Sequence, residues 1–198
     1  MPGSTAFIET TFNVREFDDE VDDSGFKRSS RGIEVLLGNT LDLSGVTFAE
    51  LGVGYIRQNF PNQPAGTPNL GPTAGISFKG KLVWNPTDLL TVTGQARRKV
   101  KETTVPGAAS AFTSSFELGV DYDMFENFIV GAKARYDIET FDGIDQTDTV
   151  TNLALDAQYF IGPNFLAKAE YGFKKRVPDT NGGGFTTNTV MVSFVVQL

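Results

Sequence analysis

The chain has 198 residues, a formal net charge of −7, and neither cysteine nor histidine. The negative charge argues against nucleic acid as a partner, and the lack of histidine removes the usual general base and transition-metal ligand. We therefore expect no enzyme activity, no catalytic residue, no cofactor and no metal site. A mean hydropathy of −0.14, with no run of 18 apolar residues, excludes membrane-spanning helices.

The predicted elements are β-strands with one apolar and one polar face. In Phe128–Glu139, for example, the even positions are apolar and the odd positions carry Lys133, Arg135 and Asp137. A period of two is the geometry of a strand. Such runs, of about ten to twelve residues, are long for soluble strands and match the length that crosses a bilayer at a tilt of about 45°. In chain order they are Ala6–Phe17, Ala74–Trp84, Leu90–Lys101, Phe112–Asp123, Phe128–Glu139, Thr149–Phe160 and Phe165–Arg176, followed by a shorter apolar C-terminal strand of nine residues, Val190–Leu198.

The connections alternate between short and long. Gly, Pro, Asn and Asp mark them, and four short and five long connections imply ten strands. The even count places both termini at the short-turn rim, so that the first strand can pair with the last and close the sheet. The short turns are Asp42–Gly45, Asn85–Asp88, Met124–Asn127 and Ile161–Asn164, and the long loops are Asp18–Ser30, Phe60–Pro72, Thr103–Ala111, Phe141–Asp148 and Pro178–Thr186.

Aromatic residues recur at two heights on the apolar faces. Eight residues separate the two groups, which corresponds to roughly 20 Å along the membrane normal for strands tilted by about 40°. We expect these side chains to lie at the two membrane interfaces. They are Trp84, Tyr122, Phe128, Tyr159 and Phe165 near the short turns, and Tyr136 and Phe173 further along their strands.

The opposite faces carry charges of both signs, and we expect them to line the interior of a barrel. Counting residues from the short turns predicts a cluster of Arg97, Glu117 and Arg135, and places Asp156 between Lys133 and Lys168. An ion-pair network that fills a narrow barrel and a row of charges that lines a pore are both consistent with this pattern. Ten strands are closer to the filled eight-stranded barrels than to the open 16-stranded ones. The predicted lining residues are Lys79, Lys81, Arg97, Lys99, Lys101, Glu117, Asp121, Lys133, Arg135, Asp137, Asp156, Lys168, Glu170 and Lys174.

Two further features carry little functional information. Asp18–Asp23 holds five carboxylates, but the spacing is not that of a calcium loop, and we interpret it as a solvated acidic loop. The N-terminus lacks the basic start and apolar stretch of a secretory signal. We therefore expect residues 1–198 to form a single domain, as a mature chain or as the C-terminal part of a larger barrel.

Trp84–Thr91, Tyr122–Phe128, Phe160–Phe165 and Glu170–Phe173, together with the last strand, resemble the putative β-barrel porin type 2 family. The resemblance implies an outer-membrane channel, in some members linked to surface polysaccharide. The fold we expect is all-β, an antiparallel up-and-down transmembrane β-barrel of about ten strands in a Gram-negative outer membrane.

For function, the sequence favours a porin-like channel for small hydrophilic solutes or polysaccharide-related cargo. The alternative is a closed barrel that anchors and displays its loops. A soluble lipocalin-like barrel would need the reverse placement of polar and apolar faces. The expected partners are outer-membrane lipid, lipopolysaccharide and the barrel-assembly machinery, and oligomerisation is left open.

Overall fold

The computed structural model describes residues 3–18, 21, 25–61, 71–103, 105, 107–180 and 183–196. No helix in these ranges is long and apolar enough to cross a membrane. Their regular elements are ten β-strands: β1 Ser4–Arg15, β2 Ser30–Ser44, β3 Thr47–Asn59, β4 Thr73–Thr87, β5 Leu90–Lys101, β6 Ser110–Phe125, β7 Phe128–Asp142, β8 Thr147–Gly162, β9 Phe165–Pro178 and β10 Phe185–Val196.

The ten strands form one antiparallel sheet in which each strand pairs with its neighbours in sequence, in the order β1 to β10. This confirms the predicted strand number and up-and-down topology. The strands contain 12 to 16 residues, slightly more than predicted, because the backbone pairing continues past the last alternating residues. The regular alternation fixes the register, since a shift of one strand by one residue would move its charged side chains to the apolar face of the sheet.

Two-residue turns join the strands at one rim, at 45–46, 88–89, 126–127 and 163–164, as predicted. The connections at the other rim are longer, but the loop predicted at Phe141–Asp148 contains only residues 143–146. There, Gly143 adopts a φ of +99°, a conformation that glycine tolerates best. The Phe141 amide donates to the Gln146 carbonyl at 3.1 Å. The two flanking strands are therefore longer than the side-chain pattern indicates.

The sheet curves toward its charged face. The Lys79 Nζ atom on β4 lies 3.0 Å from a Glu9 carboxylate oxygen on β1 and 2.7 Å from one of Glu50 on β3. In a flat sheet, β1 and β4 would lie about 14 Å apart. The Phe7 ring also packs so closely over Gly38 that a Cβ atom there would clash with it. The charged face is therefore concave.

The described strands do not close into a barrel. Pairing of β1 is found with β2, and pairing of β10 with β9. Arg15, at the end of β1, reaches across the concave face, and its Nε atom lies 3.0 Å from a carboxylate oxygen of Glu102, just beyond β5. Closure between β1 and β10 stays a prediction.

Residues of the long loops and of the adjoining ends of β6 and β7 pack over the long-loop end of the concave face. Phe26, Phe60 and Ala109 form one buried cluster, and Ala108, Ala111 and Phe141 form a second. The guanidinium of Arg28 donates to the Ala108 carbonyl at 2.5 Å. These contacts hold three of the long connections together above the strands.

Candidate functional site

The concave face is the candidate site, because cross-strand register places all fourteen predicted lining residues on it. One row runs through Lys81, Gln95, Glu117, Arg135, Asn152 and Lys174, and the next through Lys79, Arg97, Ser115, Asp137, Val150 and Arg176. Lys99 and Lys101 continue β5 toward the long loops. Lys133, Asp121, Asp156, Glu170 and Lys168 lie nearer the two-residue turns.

An ion-pair network with two buried carboxylates occupies the long-loop end of this face. Lys101 Nζ lies 2.7 Å from Glu139, and the guanidinium of Arg176 lies 2.5 Å from Asp148 and 3.5 Å from Glu139. Asp148 is 1 % exposed and Glu139 is 5 % exposed. Two basic side chains therefore neutralise two carboxylates that burial would otherwise destabilise.

The predicted cluster of Arg97, Glu117 and Arg135 is brought together, with different pairing. All three residues line a cavity of about 140 Å³, and Glu117 lies opposite Arg135 in register. Arg135 Nε, however, bonds Asp137 at 2.8 Å, and Arg97 lies 3.8 Å from Glu34 on β2. The sheet curvature, which residue counting does not include, brings Glu34 within reach of Arg97.

Asp156 lies in the row between those of Lys133 and Lys168, as counting predicted, and it attracts the Lys168 ammonium group. Its Oδ2 atom accepts a hydrogen bond from Gln158 at 3.1 Å, and its register neighbours are Gly131 and Glu170. Lys168 bonds Glu170 at 2.9 Å. Glu170 is therefore the direct ion-pair partner of Lys168, and Asp156 adds negative charge beside it in the short-turn half of the face.

A larger cavity of about 410 Å³, which we call the basic cavity, lies on the concave face in front of strands β5 to β10. Five basic side chains and two carboxylates line it. Among the described residues, Lys99 and Lys174 have no carboxylate partner, and Lys174 Nζ lies 5.6 Å from the centroid of the Phe185 ring. The cavity therefore has an excess of positive charge. Its lining residues are Lys99, Lys101, Thr113, Arg135, Asp137, Glu139, Val150, Asn152, Lys174, Arg176 and Phe185.

The short-turn half of the concave face has small side chains. In the row that contains Lys133, its neighbours in register are Gly119 and Ala154, and Gly172 lies beside Ala154. Glycine and alanine fill little of the space in front of the sheet. The side chain of Lys133 lies over Gly119, and the Asp156 carboxylate lies over Gly131.

The convex face is apolar and exposed. All seven predicted interfacial aromatics lie on it, with exposures of 45 % for Trp84 and 53 % for Phe165. Phe128 and Tyr159 are register partners on β7 and β8, and their ring centroids lie 6.3 Å apart. The others are Tyr122, Tyr136 and Phe173. The convex face is thus apolar and the concave face charged along the length of the strands, as the alternation predicts.

The family comparison adds to this geometry. A family model described as "Putative beta-barrel porin 2" matches residues 1–198. The chain belongs to this family. The match confirms the resemblance found in the sequence and extends it over the first 70 residues. No curated protein and no solved structure matches the chain.

Sequence reasoning missed the contribution of the first three strands of this β-barrel porin family member. Glu9, Glu34 and Glu50 all supply carboxylates to basic residues of β4 or β5. The same period-of-two signal applies to them, because each lies at a position that alternates with apolar residues, but the predicted lining set began at β4.

Other predictions fall outside the described residues. Four of the five acids of the acidic loop, Asp19, Glu20, Asp22 and Asp23, lie there, as do Gln197 and Leu198 of the last strand. In the described part of the chain, no group of three or more acidic side chains is arranged to hold a metal ion.

Proposed function

We propose that this β-barrel porin family member spans the outer membrane of a Gram-negative bacterium as a closed ten-stranded barrel and forms a passive channel for small hydrophilic solutes. One observation carries the proposal: a single sheet has an exposed apolar convex face and a charged concave face. In a bilayer the first faces hydrocarbon and the second faces water.

A soluble protein would not leave an apolar face of this kind exposed to water. Val53 is 60 % exposed, Leu118 is 54 % exposed and Phe194 is 75 % exposed. Soluble monomers rarely expose a continuous apolar patch of this kind. Lipid and lipopolysaccharide are accordingly the partners that we propose for it, after insertion by the barrel-assembly machinery.

The charges of the concave face give the channel its expected selectivity. Lys99, Lys174 and their basic neighbours lie in the long-loop half, whereas Asp121 and Asp123 lie near the two-residue turns. Charges that line a narrow lumen act on an ion more strongly than distant loop acids. We therefore expect the long-loop half to favour anions although the net charge of the chain is −7.

A closed barrel that anchors and displays its loops is the second candidate. The packed loop residues Phe26, Phe60 and Ala109 and the ion pairs of Glu139 and Asp148 favour it, because both occupy the long-loop end of the interior. Conductance separates the two candidates. Polysaccharide-related cargo belongs to the first candidate, as a larger solute of the same channel.

Single-channel recording in a planar bilayer tests this proposal. Purified wild-type protein should give discrete conductance steps with a reversal potential on the anion side under a salt gradient. Lys99→Glu with Lys174→Glu should shift that potential toward cations, since these two lysines have no carboxylate partner among the described residues whose loss would disturb folding. Lys101 is unsuitable because it neutralises Glu139.

Lys175→Glu is the matched control. The substitution makes the charge change of one of the two lysine substitutions, at the residue next to Lys174, but register places Lys175 on the convex face, opposite Thr151 and Thr186. The reversal potential of the Lys175→Glu variant should equal that of the wild type. Correctly folded protein without conductance would overturn the channel and leave the anchoring barrel.

A further inference from the structure

We propose that the basic cavity binds a small organic anion, a carboxylate or phosphate ester carried on a polar, hydroxyl-bearing body. This inference rests on the proposed channel and names the class of solute that the channel recognises. A cavity of about 410 Å³ falls in the range of small-molecule sites. Its position in the long-loop half would let it collect the solute before passage.

The positive charge that the anion would meet comes from two side chains. Arg135 is paired with Asp137, and Lys101 and Arg176 are held by Glu139 and Asp148. Among the described residues, no such partner holds Lys99 or Lys174. Their ammonium groups can therefore turn to an incoming carboxylate or phosphate without breaking an ion pair, and charge-assisted hydrogen bonds of this kind are strong.

Thr113 gives an independent indication of a ligand. Its side chain contributes to the wall of the basic cavity, it is 3 % exposed, and its Oγ1 atom is buried with no hydrogen-bond partner among the described residues. Buried hydroxyls are usually bonded. Its register neighbours are Lys99 and Glu139, and Glu139 is held by Lys101 and Arg176. On the Lys99 side, the hydroxyl can donate to an anion that Lys99 holds.

The remaining wall suits the polar body of the solute. Asn152, beside Lys174 in register, offers an amide that can donate and accept hydrogen bonds. The Phe185 ring provides an apolar surface next to the Lys174 ammonium group. A ring with hydroxyl groups on its rim and one anionic substituent matches this combination.

Calorimetric titration of the detergent-folded protein tests the site with three probes of one shape. Glucuronate carries a carboxylate, glucose 6-phosphate carries a phosphate ester, and glucose is neutral. We expect saturable binding of at least one charged sugar and none of glucose. Lys99→Gln with Lys174→Gln should weaken binding at least tenfold, whereas Lys175→Gln should leave it unchanged.

Thr113→Val separates binding from folding. Loss of an unbonded hydroxyl should leave the melting temperature unchanged or raise it, while the affinity for the charged sugar falls at least threefold. Binding of neither charged sugar, equal binding of glucose, or equal affinity of the double lysine variant would overturn the site. The titration needs no conductance, so binding without a channel would reject only the proposed function, and a channel without binding would reject only this site.

Discussion

Phe116→Arg should prevent assembly of the protein in a bilayer, whereas Glu117→Arg on the neighbouring residue should not. Phe116 lies on the convex face and is 45 % exposed, and Glu117 lies on the concave face opposite Gln95 and Arg135. An arginine that faces lipid near the midplane costs about 2–4 kcal/mol in a β-barrel. At position 117 the arginine stays hydrated, and its repulsion from Arg97 and Arg135, screened by water and salt, costs less than the exposure of a charge to lipid.

Heat-modifiable migration in gels, after refolding into lipid vesicles, measures this difference. We expect a folded band for wild type and Glu117→Arg, and a strongly reduced one for Phe116→Arg. In a soluble protein the exposed Phe116 would tolerate arginine readily. Equal folded fractions for the two variants would therefore contradict the assignment of the convex face to lipid.

Deletion of Phe194–Leu198 should abolish folding in lipid. The strands β1 and β10 each contain 12 residues, and each has one edge without a strand partner in the described structure. In hydrocarbon, every backbone group left unpaired costs several kcal/mol. In a closed barrel the backbone groups of β1 pair with those of β10. Shortening β10 therefore leaves several backbone groups of β1 and β9 unpaired.

A loop deletion of the same length provides the control. Residues 62–66 lie between the end of β3 and the start of β4, and their removal takes away no residue of either strand. We expect this variant to fold and to resist protease in vesicles. A protease-resistant product from the Phe194–Leu198 deletion would show that β10 is not needed to complete the sheet.

The sequence predicts the faces of the sheet well because one physical rule governs them. Successive side chains of a strand point to opposite sides, so the alternation in β5, β6 and β7 is enough to place Lys99, Thr113 and Arg135 on one face once the two-residue turns fix the register. The same rule, together with the turn residues between the strands, explains why the sequence alone predicts ten strands and four short turns.

The partners of these side chains cannot be read from the alternation. The pairing of Arg97 with Glu34, in place of Glu117, depends on how tightly the sheet curls, which the packing of Phe7 over Gly38 affects. The guanidinium of Arg28 is anchored in part by the Ala108 carbonyl, and a backbone acceptor cannot be recognised in the side-chain pattern. The pattern also does not show that the Thr113 hydroxyl has no hydrogen-bond partner in the described part of the chain, because this depends on the distances between strands.

Cysteine labelling along β6 tests the central claim most directly, namely that the convex face lies in lipid and the concave face in water. The chain has no cysteine, so single substitutions at positions 116 to 121 can be compared in vesicles with a membrane-impermeant maleimide. We predict labelling of Glu117→Cys, Gly119→Cys and Asp121→Cys, and protection of Phe116→Cys, Leu118→Cys and Val120→Cys. Equal labelling of all six positions, or labelling of the convex positions in preference to the concave ones, would contradict this assignment of the two faces.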